Sequence, residues 1–183
     1  MSDLLFRMAT DTDIPAIEAL VGSAYRGDQS RAGWTTEADL LDGQRIDAAM
    51  LGEELSRPDA VVILAHDRSV PGGVPLLLGC AQIAVTRSDA GYFGMFAVAP
   101  AAQGRGLGSK LLAEAERRLA DGGASTVELT VIEQRPELVA FYERRGYART
   151  GSFRAFPYGD ERFGVPLRGD LRLVVLEKDL LRH

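Results

Sequence analysis

The segment with the most chemical content is Gln103-Gly104-Arg105-Gly106-Leu107-Gly108-Ser109, where glycines alternate with other residues just ahead of an amphipathic stretch. Alternating glycines let a backbone approach an anion unobstructed, and the free amides of a helix N-terminus carry partial positive charge. That chemistry suits a pyrophosphate. Two common phosphate loops do not fit. A Walker A loop needs lysine directly after its last glycine, whereas Gly108 is followed by Ser109 and only then Lys110. A dinucleotide fingerprint needs a third glycine at the position Ser109 occupies.

Two other stretches mix aromatic and ionic side chains. One runs from Arg31 to Glu37 and holds the only tryptophan, Trp34; the other runs from Phe153 to Phe163 and includes Tyr158 and Asp160. If a fold brought them together, they would wall a pocket. Its carboxylates would receive a small polar amine, its arginines an amino acid carboxylate, and neither preference wins. Loop packing or a homodimer contact is an equal use of the same residues. His66, His183 and the lone Cys80 lack the spacing of a metal site.

These residues need elements to position them. Residues 4–9 read as a strand, followed by a helix with Ile14, Ile17, Leu20 and Val21 on one face, capped by Asp11 or Thr12 with Pro15 in its first turn. A second helix is expected after Thr35 or Thr36, through Leu40, Leu41, Ile46 and Met50. Residues 60–66 and 75–86 read as strands joined by a Ser-Pro-Gly turn, and Tyr92 to Ala99 as a central strand buried on both faces. After Pro100, Leu107, Leu111, Leu112, Ala115 and Leu119 form a helical stripe that Gly122-Gly123 closes. Val127, Leu129 and Val131 alternate as a strand, a helix runs from Pro136 to Gly146, and strands follow at about 147–153 and 171–177.

In this frame, Gln103, Gly106 and Gly108 fill a Q/R-x-x-G-x-G/A signature. About 35 residues later, Ala140-Phe141-Tyr142-Glu143-Arg144-Arg145-Gly146-Tyr147 has the form FYxxxGF. The pair, in that order and spacing, resembles the GNAT superfamily of N-acetyltransferases. The likeness covers about residues 3–180 and is strongest over 92–150. It implies an α+β fold, an α/β/α sandwich whose mixed, mostly antiparallel seven-stranded sheet has splayed central strands and about four flanking helices. It also implies acetyl-coenzyme A (acetyl-CoA) as co-substrate and no metal.

Carried onto this chain, the resemblance has the backbone of Phe96, Ala97 and Val98 bind the pantetheine arm as an added strand. Gln103, Gly104, Arg105, Gly106, Leu107, Gly108 and Ser109 would hold the pyrophosphate, and Phe141 would border the cofactor. Arg135 stands where relatives often have a cofactor-contacting asparagine; it has no acceptor atom, so it would meet a phosphate or face water. Tyr142 matches the family's general acid. The strand from Tyr92 to Ala99 has no carboxylate where some relatives place a base, which leaves Glu128 first among Glu133, Glu37, Asp160, Glu161 and a water chain. Trp34, Glu37, Tyr158 and Asp160 would contact the acceptor. The implied activity is acetyl transfer to a small-molecule amine by direct attack; transfer to protein amines and a catalytically silent acyl-CoA-binding module are the alternatives.

Composition bounds these readings. At 183 residues and 46% hydrophobic content, the chain fits one domain, residues 1–183, with its own core. The net charge of −5 disfavours nucleic-acid binding, although 19 of the 21 basic residues are arginine. One cysteine, no basic-apolar leader and no run of about 18 apolar residues argue for a cytoplasmic protein without a membrane segment.

Overall fold

A computed structural model describes residues 3–26, 30–33, 35–69, 73–87 and 89–181, so Trp34 and His183 lie outside the described residues. Seven strands lie side by side in the order β1 (Leu4–Met8), β3 (Ala60–Asp67), β4 (Leu76–Arg87), β5 (Ala90–Val98), β6 (Thr126–Ile132), β9 (Arg172–Asp179) and β7 (Ala148–Ala155). The short strands β2 (Leu41–Asp42) and β8 (Val165–Pro166) pair with each other. Every pairing in the large sheet is antiparallel except β5 with β6.

Helices cover both faces. Successive strand residues point to opposite sides, and β3 shows the result. Val62 and Leu64 pack under α1 (Ile14–Tyr25) and α2 (Ala48–Leu55) with Ile17, Val21 and Leu51. Ile63 and Ala65 join the opposite cluster, which Leu107, Leu111, Leu112, Ala115 and Leu119 of α3 (Leu107–Asp121) share with Val139, Phe141 and Tyr142 of α4 (Pro136–Glu143). Each fully buried leucine contributes about 1.5–3 kcal/mol relative to exposure, so these stripes fix the helices on the sheet. The fold is therefore the mixed seven-stranded α/β/α arrangement, with four α-helices among the described residues.

Three local expectations change. The first helix is preceded by a 3-10 turn capped by Thr10 rather than by Asp11 or Thr12; Thr10 and Asp13 form a reciprocal capping box, and Asp13 also holds Arg7 at 2.6 Å. The second helix does not start after Thr35 or Thr36. Residues 38–40 turn, Leu41 enters β2, and the helix begins at Ala48, where the Asp47 carboxylate accepts from the Met50 amide (2.8 Å). A free cap oxygen at the right offset outcompetes the looser apolar spacing upstream. Finally, β7 runs to Ala155, so Phe153 and Arg154 are strand residues rather than loop residues.

Candidate active site

β5 and β6 are in register at Ala90–Thr126, Gly91–Val127 and Tyr92–Glu128, and then part. The sequence of β5 explains the break. The Tyr92 ring lies over Gly94, where a Cβ would stand 2.7 Å from Cε1 of that ring, so a larger residue would push the ring aside. One residue on, Met95 takes a left-handed φ of 41° beside the register shift between Cys80 and Gln82. A bulge of this kind kinks a strand and costs of order 1–3 kcal/mol.

Past the kink, one edge of β5 has no strand partner. The Ala99 amide donates to Leu78 O at 2.8 Å, so antiparallel alternation turns the peptide groups of Val98 and Phe96 toward the gap. Gln103 Nε2 donates to Val98 O (2.9 Å) and to Thr35 Oγ1 (2.8 Å), tying the glycine turn to the strand end. The Tyr25 hydroxyl donates to Phe96 O.

The gap opens into two cavities that share Phe96 as a wall. The smaller, about 290 Å³, lies between Phe96, Val98, the glycine turn and Phe141. Gly104 (φ 76°) and Gly106 (φ 78°) are left-handed with open space where a Cβ would be, so conformation rather than crowding requires glycine there. Gly108 differs: a Cβ would sit 3.3 Å from Phe96 Cζ, against the cavity wall. Among the described residues, no group accepts from the amides of Gly104 through Ser109. The turn and the helix start thus hold six unspent donors, and Gly104, Gly106, Gly108 and Ser109 among these residues line the cavity. Arg145 closes the rim, donating from Nη2 to Ser109 Oγ (2.6 Å) and from Nη1 to Phe141 O (2.6 Å), with its guanidinium 3.5 Å from the Phe141 ring centre.

The larger cavity, about 440 Å³, lies between α1, α2, β5, α4 and the loop after β7. Tyr142 lines it and is 4% exposed. Burial pushes its phenol well above the ordinary value near 10, so the hydroxyl stays protonated at neutral pH. No described residue accepts from it. Glu37 lines the same cavity, 6% exposed, among three guanidiniums: Arg26 Nη1 at 2.7 Å, Arg135 Nη1 at 3.5 Å and Arg45 Nε at 3.6 Å. Desolvation pushes Glu37 up, but the combined attraction of Arg45, Arg26 and Arg135 exceeds it and holds the carboxyl below its usual range. Glu37 is thus a fixed anion and a poor proton acceptor.

The model of the acetyltransferase (GNAT) family matches residues 23–147, about two thirds of the chain, from the end of α1 to the residue after Gly146. The chain belongs to the GNAT family. No curated protein sequence matches it. Among solved structures, the ribosomal-protein-S18-alanine N-acetyltransferase of Escherichia coli superposes with a TM-score of 0.67 at 16% identity, over 97% of this chain and 94% of its own. Salmonella typhimurium yncA, solved with its cofactor acetyl-CoA, gives 0.66 at 20% identity over 100% and 96%. A chimera of the Vibrio cholerae spermidine N-acetyltransferase SpeG with hSSAT gives 0.66 at 16% over 98% and 96%. At these identities the likeness establishes the shared fold.

Within this GNAT chain, Phe96, Val98, Gln103, Gly104, Gly106, Gly108, Ser109 and Phe141 all line the smaller cavity. The side chains of Ala97 and Leu107 point into the core, 2% and 5% exposed, and Arg105 is exposed without lining the cavity. Arg135 does not face water and does not line the smaller cavity: it is 1% exposed and held between Glu37 and Glu137. A buried carboxylate partner captures a guanidinium more strongly than exposure would.

The acceptor-side residues scatter. Glu37 lines the larger cavity, but Tyr158 and Asp160 do not. The Tyr158 hydroxyl accepts from Leu171 N (2.7 Å) and donates to Arg168 O (3.0 Å), while Asp160 caps a 3-10 turn and binds Arg162 (2.6 Å). Both serve loop structure; their neighbours Phe156 and Phe163 reach the cavity instead. Glu128 also lies outside it, on the paired part of β6, bound to Arg154. Glu133 binds Arg172, whose guanidinium holds it below the carboxylate range. Thr35, Arg144 and Arg145 line the smaller cavity without having been singled out. The arginine pair sits inside the FYxxxGF-like segment, where basic residues read as ordinary C-terminal helix charges.

Proposed function

We propose that the chain is an acetyl-CoA-dependent N-acetyltransferase that acetylates a small-molecule amine by direct attack. The observation that carries this reading is the parting of β5 from β6 beyond Tyr92–Glu128. The opening has six partnerless amides on one side and the Tyr142 hydroxyl on the other. The residues fit the co-substrate chemically. The glycine-turn amides and Arg145 suit a diphosphate, and the outward peptide groups of Phe96 and Val98 suit an extended amide-bearing arm.

In the reaction, the amine nitrogen bonds to the acetyl carbon, the carbon–sulfur bond breaks, and the nitrogen loses a proton. Tyr142 supplies a hydrogen bond to the departing sulfur. A thiol titrates near 8.5, below a tyrosine raised by burial, so at equilibrium Tyr142 donates the bond and keeps its proton. With Glu37 held ionised by arginines and Glu128 outside the cavity, the amine proton leaves through water in the larger cavity. Cys80 is fully buried, in keeping with a reducing compartment, and we assign the enzyme to the cytoplasm.

The test is calorimetric titration with acetyl-CoA, followed by thiol release in the presence of a panel of small amines. Saturable binding and amine-dependent thiol release are expected. Absence of binding by folded protein sinks the reading; binding without transfer to any amine reduces it to a silent acyl-CoA module.

A further inference from the structure

The ionic side chains in direct contact with Glu37 do not balance, although the charges that line the larger cavity as a whole do: Glu37, Glu53 and Glu54 against Arg45, Arg57 and Arg162. Glu37 supplies one negative charge, and Arg26, Arg45 and Arg135 supply three positive ones around it. Glu137 also meets Arg135, at 3.2 Å, but half of its side chain is exposed to water. The arginines keep donors in reserve: Nε and Nη2 of Arg26, Nε of Arg45 and Nη2 of Arg135 are buried with no acceptor.

Arg45 stands apart from the other two because it lines the cavity. Its side chain is 32% exposed, it makes no hydrogen bond to a described residue, and its nearest partners are Glu37 at 3.6 Å and the Tyr25 ring centre at 5.4 Å. A guanidinium offers a planar fork of donors that matches a carboxylate in two parallel hydrogen bonds. Of the acids that line the cavity, Glu37 is engaged by the arginines and Glu54 by Arg57 (3.0 Å) and the Gln82 amide, while Glu53 lines it together with Arg57 and Arg162.

Given the transferase reading above, we infer that the acceptor carries a carboxylate beside its amine, docked on the open fork of Arg45, the one guanidinium around Glu37 that lines the cavity and makes no hydrogen bond to a described residue. The substrate class is then a small amino acid or a close analogue.

The experiment uses the full chain with acetyl-CoA and matched probes: L-alanine, L-leucine, L-phenylalanine and L-glutamate, each beside its α-carboxamide and its decarboxylated amine. The expected result is at least tenfold higher kcat/KM for the acid of the best matched set. Arg45→Gln then raises KM for that acid at least tenfold, changes kcat less than threefold, and leaves KM for the carboxamide unchanged. Arg45→Lys, which keeps the charge without the fork, falls between, and binding of the N-acetylated acid by calorimetry should follow the same order without turnover. Equal use of acids and carboxamides, or an Arg45→Gln loss of kcat shared by both, overturns the inference while the transferase reading stands. Transfer to no member of the panel, with acetyl-CoA still bound, overturns the small-amine reading and this inference with it.

Discussion

The two cavities that meet at Phe96 are built from different materials. The smaller is made largely of backbone, a single turn from Gly104 to Ser109 set against the free edge of β5. The larger is made of side chains from α1, α2, β5, α4 and two loops, held in place by ion pairs. A backbone site depends on conformation and tolerates little change in it. A side-chain site can be rewritten by substituting a few residues while the strands stay where they are. One half of the gap is thus committed to a single kind of ligand, and the other is open to specialisation.

The largest effect expected from this division is on stability. Glu37→Gln leaves three guanidiniums around a neutral amide, and breaking a buried ion pair in this way costs about 3–5 kcal/mol. Denaturant unfolding should show that loss. The same group predicts an acid limb. Because the folded-state value is depressed, its contribution is complete above the ordinary glutamate value of about 4.3 and disappears as pH falls through the lower folded value. Wild type should therefore lose stability on acidification through this range, and Glu37→Gln should lack that component. A loss below about 1 kcal/mol would mean that the cluster relaxes freely, and the larger cavity would not be the rigid ionic structure described here.

Next in size is Tyr142→Phe. Its hydroxyl has no partner among the described residues, so its removal should scarcely alter stability, while kcat falls about 100-fold, the lower range for a hydrogen-bond donor aimed at developing charge. Steady-state kinetics over pH 6–9 would separate the two effects. Unchanged turnover would remove Tyr142 from catalysis and leave the departing sulfur without this hydrogen-bond donor.

Legibility in the sequence follows the same division. The glycine turn was readable because its demands are local: two left-handed positions and an approach to Phe96 call for glycines in fixed order. The strands and the α3 stripe were readable through alternation and helical spacing. The parting of β5 from β6 was reached only through a family likeness, since its local cause, Tyr92 folded over Gly94 beside a strained Met95, has no periodic signature. The acceptor side was the least legible. Glu37 and Arg135 are 98 positions apart, and only the fold brings them into contact. Tyr158 and Asp160 looked suited to a ligand because a loop that binds its own backbone uses the same residue types as a loop that binds a substrate.

Gly106→Ala sharpens the backbone half of the comparison. The added methyl meets no atom within 4 Å, so the change acts through the left-handed φ of 78° alone, at about 1–2 kcal/mol. Acetyl-CoA affinity should fall roughly five- to thirtyfold if the turn relaxes away from that conformation, as read by calorimetry. The melting temperature should drop by a few degrees, in line with about 1 kcal/mol. Unaltered affinity would mean that the amides need not be held in this geometry, and the distinction between backbone and side-chain halves would lose its basis.

The smallest effect is expected from Glu128→Gln. Glu128 lies opposite Tyr92 in the last paired register before the strands part, with its carboxylate on Arg154 at the surface. Exposed pairs of this kind contribute about 0–1 kcal/mol, and the larger cavity does not reach the residue. kcat should change less than about twofold, within the scatter of a residue remote from a reacting centre, and the pH profile should keep its shape. A tenfold fall in kcat at constant KM would put the proton acceptor on the paired side of β6. The larger cavity would then be the acceptor's binding site alone, with the proton leaving by a separate path.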